Sequence, residues 1–380
     1  MIEVNLPVSK SIVNRRYIIE ALEDKPLTVL SEEDDCADLA DMRDCIKNLH
    51  KKGFCHVKES GTALRFLIAL AACGVWGIGK DYCICCSGRL AQRPIAPLID
   101  LLVKLGMPQP KVSIDDNGVL TIRLVSCTLK GGKIEIPTGV STQFASALLL
   151  VSSRMKEPLE IELKGGDSPY IAMTRKVIKA KEDIMEADWS AASFFYEMLA
   201  IGSVSDKTIS DGVLLKGLKS KAVSLQGDAE CATLFSILGV VSEEVENGII
   251  IKRAADRKLP DYVKLDMRAN PDLVPPFAVA CCILGVKFNI SGVSALRHKE
   301  SDRIAAIENV LKSLGYLIDT NDDCLEWKGY LCTPQKGKVE DFNDHRIAMA
   351  VEASGMRKTK NLKCVEKSFP RFIEEMEKLR

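Results

Sequence analysis

The sequence predicts an α/β fold assembled from one repeated unit, and three observations carry that prediction. A helical pattern with apolar residues three and four apart recurs along the chain. Short runs rich in β-branched residues lie between its copies. Small polar residues stand just before apolar stretches, where helices would begin.

The clearest helix copy, residues 94–106 (PIAPLIDLLVKLG), sets Ile95, Leu98, Leu102 and Leu105 on one face and ends in glycine, a common helix C-cap. Residues 303–315 (RIAAIENVLKSLG) match it almost position for position. Weaker copies lie at 42–49, 234–239 and 372–379, and one at 173–179 is cut short. Six copies, three in each half, indicate one subdomain repeated. The strand-like runs are KIEIP at 133–137, LEIEL at 159–163, GIIIK at 248–252 and KFNIS at 287–291. Ser11, Thr62, Ser141 and Asp188 are expected at N-caps or in first turns.

A chain of 380 residues suits two domains, and 47% hydrophobic residues supply ample core. With 52 basic against 52 acidic residues there is no basic surplus, which argues against a nucleic-acid protein. The longest apolar run, 66–79, is shorter than the roughly 20 residues a bilayer requires. Residues 1–4 show no signal-peptide pattern, so no membrane partner and a cytoplasmic location are expected. The 14 cysteines are scattered, without paired CxxC motifs at zinc-like spacing. Cys83-Ile84-Cys85-Cys86 comes closest and reads as small strand residues, so no metal is expected.

The chemistry shows in where the positive charges sit. Lys10-Ser11 with Arg15, Gly61-Thr62 with Arg65, Arg93-Pro94, Ser141-Thr142-Gln143, His298-Lys299-Glu300 with Arg303, Asp344-His345-Arg346 and Lys367-Ser368 each lie at an expected helix start. A helix N-terminus offers unpaired N–H groups and about half a positive charge, so it attracts anions. Arginine adds a two-pronged grip on phosphate or carboxylate, and lysine a point charge. Seven such places in a neutral chain point to one cleft that gathers anionic groups from both domains.

In order, LPVSKSIVNR, GTALR, RPI, STQF, PYIAMT, EADWSAAS, HKESDR, NDHRIAMA and KSFP resemble the motifs of the EPSP synthase (5-enolpyruvylshikimate-3-phosphate synthase) family over nearly the whole chain. The resemblance implies transfer of the enolpyruvyl group of phosphoenolpyruvate to the 5-hydroxyl of shikimate 3-phosphate, with no cofactor and with these two small molecules as partners. It implies a monomer and a glyphosate target. It implies two similar domains of three βαβαββ units each, residues 10–186 and residues 1–9 with 187–380, with the active site in the cleft between them.

Residue by residue, it implies that Lys10 touches both substrates. Ser11, Arg15, Ser141, Thr142, Gln143, Ser168, Asp272 and Lys299 would bind shikimate 3-phosphate. Gly61, Arg93, Gln143, Arg303, Arg346 and Lys367 would surround phosphoenolpyruvate. Asp272 would take the hydroxyl proton and Glu300 would supply a proton to the enol, with Lys10 the third catalytic residue. The plain alternatives are that Asp272 caps the helix after it and that Glu300 is a first-turn residue favoured by the helix dipole. His345 reads as a structural neighbour of Arg346, and Asp188 as a helix cap.

The chain departs from the family in three ways. Asp167 replaces a serine before Ser168-Pro169-Tyr170, a charge that would repel a phosphate unless Ser168 takes over. The stretch from Lys179 to Glu186 is much shorter than in the family, so the third repeat is expected to be reduced. Phe66 and Ala295 are tolerable replacements. Two other readings are the related UDP-N-acetylglucosamine enolpyruvyl transferase, whose first motif has Lys-Asn where this chain has Lys10-Ser11, and a catalytically impaired anion-binding homologue.

Overall fold

The computed structural model describes residues 1–31, 34–137, 142–164, 166, 168–180 and 185–380. Ser141, Asp167 and residues 181–184 of the shortened stretch lie outside the described residues. The chain divides into two compact units, Lys10–Met185 and Met1–Ser9 with Glu186–Arg380. The opening strand β1 (Ile2–Asn5) belongs to the second of these.

The N-terminal unit runs α1 (Lys10–Leu22), α2 (Ala37–Lys52), β2 (Phe54–Val57), α3 (Gly61–Ala72), β3 (Asp81–Cys86), α4 (Gly88–Ala91), α5 (Ala96–Lys104), β4 (Lys111–Ile114), β5 (Leu120–Val125), β6 (Gly132–Ile136), α6 (Thr142–Val151), β7 (Leu159–Leu163) and α7 (Pro169–Lys179). Its first sheet has the order β2-β3-β5-β4. β2 and β3 are parallel across the α3 connection, and the β4–β5 hairpin joins β3 antiparallel. β6 and β7, joined through α6, form a parallel pair.

The C-terminal unit continues β1 with α8 (Trp189–Ile201), α9 (Asp206–Asp211), β8 (Val213–Lys216), α10 (Cys231–Ile237), β9 (Val240–Val245) and β10 (Gly248–Arg253). β11 (Tyr262–Asp266), α11 (Val274–Leu284), β12 (Lys287–Ser291), α12 (Arg303–Leu314), β13 (Asp319–Thr320), β14 (Cys324–Trp327), α13 (His345–Ser354) and α14 (Phe372–Glu377) follow. Its sheets have the orders β1-β8-β10-β9 and β11-β12-β14-β13. Both repeat the scheme of the first sheet: a parallel pair, then a hairpin whose second strand joins antiparallel.

The βαβαββ order is therefore complete in three places among the described residues. Among the described residues no hairpin follows α7 in the N-terminal unit. Near the C-terminus a single parallel bridge, Val339 to Thr359, stands where a further sheet would lie.

Helix character follows burial. Every residue of α8 from Trp189 to Ala200 is buried, and in α3 all but Thr62 are. Such all-round apolar helices pack inside a layer rather than on its surface. α3 also absorbs the start of the 66–79 run, and no helix among the described residues is long and apolar enough to cross a membrane. The helix expected from 94 to 106 is α5, which buries Leu98 and Leu102 completely at about 1.5–3 kcal/mol each. Gly106 and Gly315 follow α5 and α12 at φ 105°, a left-handed conformation that suits glycine. Thr62 lies in the first turn of its helix, as expected, while one helix shifts. Thr62 is the second residue of α3 and Ser60 caps it, since the Ser60 hydroxyl accepts from Ala63 N at 3.3 Å. α10 lies at Cys231–Ile237, earlier than the 234–239 pattern, because Leu238 and Gly239 end it.

Candidate active site

In the N-terminal unit, three helices begin at one another's ends. Gln143, second in α6, donates from Nε2 to Thr62 Oγ1 of α3 at 2.9 Å and accepts from Arg65 Nη1 at 2.7 Å. Thr142, first in α6, meets Ser168 Oγ, the cap of α7, at 3.1 Å. The starts of α3, α6 and α7 thus meet, and their unpaired amide ends create a positive region suited to anions. Arg65 also bonds Gly61 O at 3.0 Å and lies over the Phe144 ring.

Gly61 opens α3 directly under Arg93. A Cβ at Gly61 would come within 2.5 Å of Arg93 Cζ and 2.8 Å of Arg65 Nη1, so only glycine leaves both guanidiniums in place. The Nε of Arg93 is buried and has no acceptor among the described residues.

Lys10, the first residue of α1, reaches Asp38 Oδ2 at 2.8 Å, with both side chains mostly covered. Asp38 sits in the first turn of α2, where a carboxylate is favoured. Arg15 is 1% exposed. It donates to Thr174 Oγ1, Ser146 Oγ and the carbonyls of Ser11 and Tyr170, and it lies over Phe66. No carboxylate among the described residues pairs with it, and burial pulls its pKa down to about 10. A buried cation held only by neutral acceptors leaves its charge uncompensated for an incoming anion.

The C-terminal unit gathers every residue expected there. Asp272, in a 3-10 turn (Pro271–Leu273), takes no cap role, since Leu273 precedes α11 as its cap and Asp272 bonds cations instead. Its Oδ1 accepts from Arg303 Nη1 at 2.7 Å and Lys299 Nζ at 3.2 Å, and its Oδ2 from Arg346 Nη2 at 3.3 Å. Arg303, 1% exposed, also donates to Glu300 Oε2 at 2.8 Å and grips both Asp344 oxygens. Glu300 precedes the Asp302 cap of α12 and so lies outside the first turn; its Oε1 is 3.8 Å from Lys367 Nζ.

Asp344, wholly buried, caps α13 through Arg346 N and accepts from Ser301 Oγ. His345 is buried at the start of that helix. Asp188 caps α8 by accepting from Ala191 N at 3.0 Å.

Four cations (Lys299, Arg303, Arg346, Lys367) thus face three carboxylates (Asp272, Glu300, Asp344). Burial alone would raise the Asp272 pKa, but the charges of Lys299, Arg346 and Arg303 hold it well below the usual carboxylate range. Burial pulls Arg346 down, and the carboxylates of Asp272, Asp188 and Asp228 more than offset this. The Arg346 Nε, like that of Arg93, is buried without an acceptor among the described residues. Burial, with the nearby Asp272 charge, pushes Asp228 up to about 6, and it is bonded by Ser190 Oγ and Asn270 Nδ2.

Sequence reasoning missed Asp38 and Asp228 as members of these clusters, Arg65 as the partner of Gln143, and Asp344 as the hub under Arg303. Arg65 and Asp344 stood inside quoted motifs; the signal was their place, one turn into α3 and at the cap of α13. Among the described residues no group of three or more His, Cys, Asp or Glu side chains could hold a metal ion.

Residues 51–182 and 179–376 match the EPSP synthase (3-phosphoshikimate 1-carboxyvinyltransferase) family. A 3-phosphoshikimate 1-carboxyvinyltransferase of Bacteroides fragilis is 33% identical, covering 99% of this chain and 94% of the relative. One of Syntrophobacter fumaroxidans is 31% identical over 85% of this chain and 79% of its own. An EPSP synthase structure from Acinetobacter baumannii superposes with a TM-score of 0.63 at 18% identity, covering 99% of this chain and 95% of that one, a likeness of fold.

Proposed function

This chain belongs to the EPSP synthase family, and from that premise we propose that its two cationic clusters serve one reaction, enolpyruvyl transfer from phosphoenolpyruvate to the 5-hydroxyl of shikimate 3-phosphate with release of phosphate. The observation that carries this reading is a matched pair of buried donors, Arg93 Nε in one unit and Arg346 Nε in the other, each without an acceptor among the described residues. A buried donor left unpaired costs about 1–3 kcal/mol, which a bound phosphate or carboxylate would recover.

In this reading the helix starts at Thr142 and Ser168, with Arg15 behind them, hold the shikimate 3-phosphate. Gln143 lies beside it, and Ser11, Ser141 and Lys299 complete the contacts. Gly61, Arg93, Arg303, Arg346 and Lys367 enclose phosphoenolpyruvate, and Lys10 lies against both. Glu300 gives a proton to carbon 3 as the hydroxyl attacks carbon 2, and Asp272 receives the hydroxyl proton. When the Glu300 carboxylate takes a proton back from carbon 3, the vinyl group is restored and phosphate departs, its charge met by the arginine and lysine side chains.

The low pKa of Asp272 makes it a weak base while Lys299, Arg303 and Arg346 rest on it. Substrate anions would draw those cations away, and the same burial that opposes ionisation would then raise its basicity. A phosphate-release assay tests the reading. Release is expected only with both substrates present, and not with UDP-N-acetylglucosamine as acceptor. Folded protein that releases no phosphate from that mixture refutes it.

A further inference from the structure

Two thiols that play no part in this chemistry sit side by side on β3. Strand residues two apart point to the same face, so Cys83 and Cys85 share one side of the β2-β3-β5-β4 sheet while Tyr82, Ile84 and Cys86 face the core. Their sulfurs are 3.9 Å apart. Cys83 is half-buried and Cys85 is 8% exposed. The strands beside them place Arg123 opposite Cys83, and His56 and Thr121 opposite Cys85. His56 and Arg123 are exposed, so this face is open to solvent. Thr121 Oγ1 lies 3.5 Å from Cys85 Sγ, placed to donate a hydrogen bond to a thiolate there.

The separation is informative. At a metal–sulfur bond of about 2.3 Å, sulfurs at this spacing subtend about 116° at a shared ion, close to trigonal geometry. It is too long for a disulfide, whose sulfurs approach to about 2.05 Å. Since no third ligand joins the pair among the described residues, the protein supplies two soft donors and solvent the rest. Such a donor set suits a soft ion of low coordination number. We propose that Cys83 and Cys85 form a surface dithiolate site for a soft monovalent cation of the copper(I) type, separate from the transferase chemistry. Binding replaces two S–H bonds by two S–metal bonds and releases two protons to the buffer, with no change of oxidation state.

The test is a titration of the reduced full chain with copper(I) under anaerobic conditions, in competition with a chromophoric copper(I) chelator. The wild-type protein is expected to withhold one equivalent. Cys83→Ser and Cys85→Ser are each expected to weaken it at least tenfold, whereas Cys45→Ala, altering a thiol on α2, leaves it unchanged. Unchanged melting temperature and transferase activity of Cys83→Ser show that the loss is local. A wild-type chain that withholds no copper, or a Cys83→Ser affinity within tenfold of wild type, overturns the proposal.

Discussion

Arg303 and Asp344 form a two-pronged ion pair, Nε to Oδ2 at 2.8 Å and Nη2 to Oδ1 at 3.1 Å, with both side chains almost wholly buried. Removing one partner of such a pair leaves an uncompensated buried charge and costs about 3–5 kcal/mol. Arg303 retains Asp272 and Glu300, so Asp344→Asn is expected near the lower end, about 3 kcal/mol by urea unfolding. Loss of stability under about 1 kcal/mol would show that the other two carboxylates suffice.

Gly61→Ala drives a methyl group into Arg93 and Arg65. The obstructing atoms are ends of flexible side chains, so the protein should fold while Arg93 is displaced. An ångström of misplacement at a reacting centre costs up to about a hundredfold, so KM for phosphoenolpyruvate is expected to rise between about tenfold and a hundredfold. The parent chain is expected to be inhibited by glyphosate and the variant less so. Full wild-type activity in millimolar glyphosate, or an unchanged KM in the variant, speaks against this placement of Gly61.

Asp228 titrates in the opposite sense to the ion-paired Asp272. Its folded pKa of about 6 lies above the ordinary 3.8, so between those values the folded state holds a proton that the unfolded chain has lost. Stability therefore falls as pH rises from about 4 to about 6 and is level above, a change of about 3 kcal/mol from this group. The stability gap between Asp228→Asn and wild type should grow by roughly that amount in favour of the variant from pH 4 to pH 7. A gap that does not vary with pH contradicts the burial argument.

Glu197, in the middle of α8, is wholly buried, and neither carboxyl oxygen has a partner among the described residues. Burial raises its pKa well above the usual carboxylate value. Glu197→Met keeps the volume and removes the stranded polar group, so at pH 8 it should stabilise the protein by about 1–3 kcal/mol in urea unfolding. A destabilised variant would reveal a role for this carboxyl that its surroundings do not explain.

The class of fold was readable because periodicity survives in sequence. Leu98, Leu102, Ile307 and Leu311 are buried where the pattern puts them. Arg303 was legible as an anion-site residue, but its grip on Asp344, 41 residues away, was not, because ion-pair partners across the fold have no local spacing. The same holds for Lys10 and Asp38, and for the Gln143 bond to Thr62. Asp272 shows the limit most clearly: its neighbours in sequence suggest a helix cap, and only the fold brings Lys299, Arg303 and Arg346 onto it.

In the proposed reaction Lys10 and Arg346 act on the same pair of substrates. Single-turnover phosphate release from shikimate 3-phosphate and phosphoenolpyruvate tests it most directly, with wild type, Lys10→Met and Arg346→Met compared at equal folded concentration. Each substitution alone should slow release by about a thousandfold or more, equivalent to about 4 kcal/mol of lost transition-state stabilisation. Release within tenfold of wild type by either folded variant would contradict a shared role for the two residues.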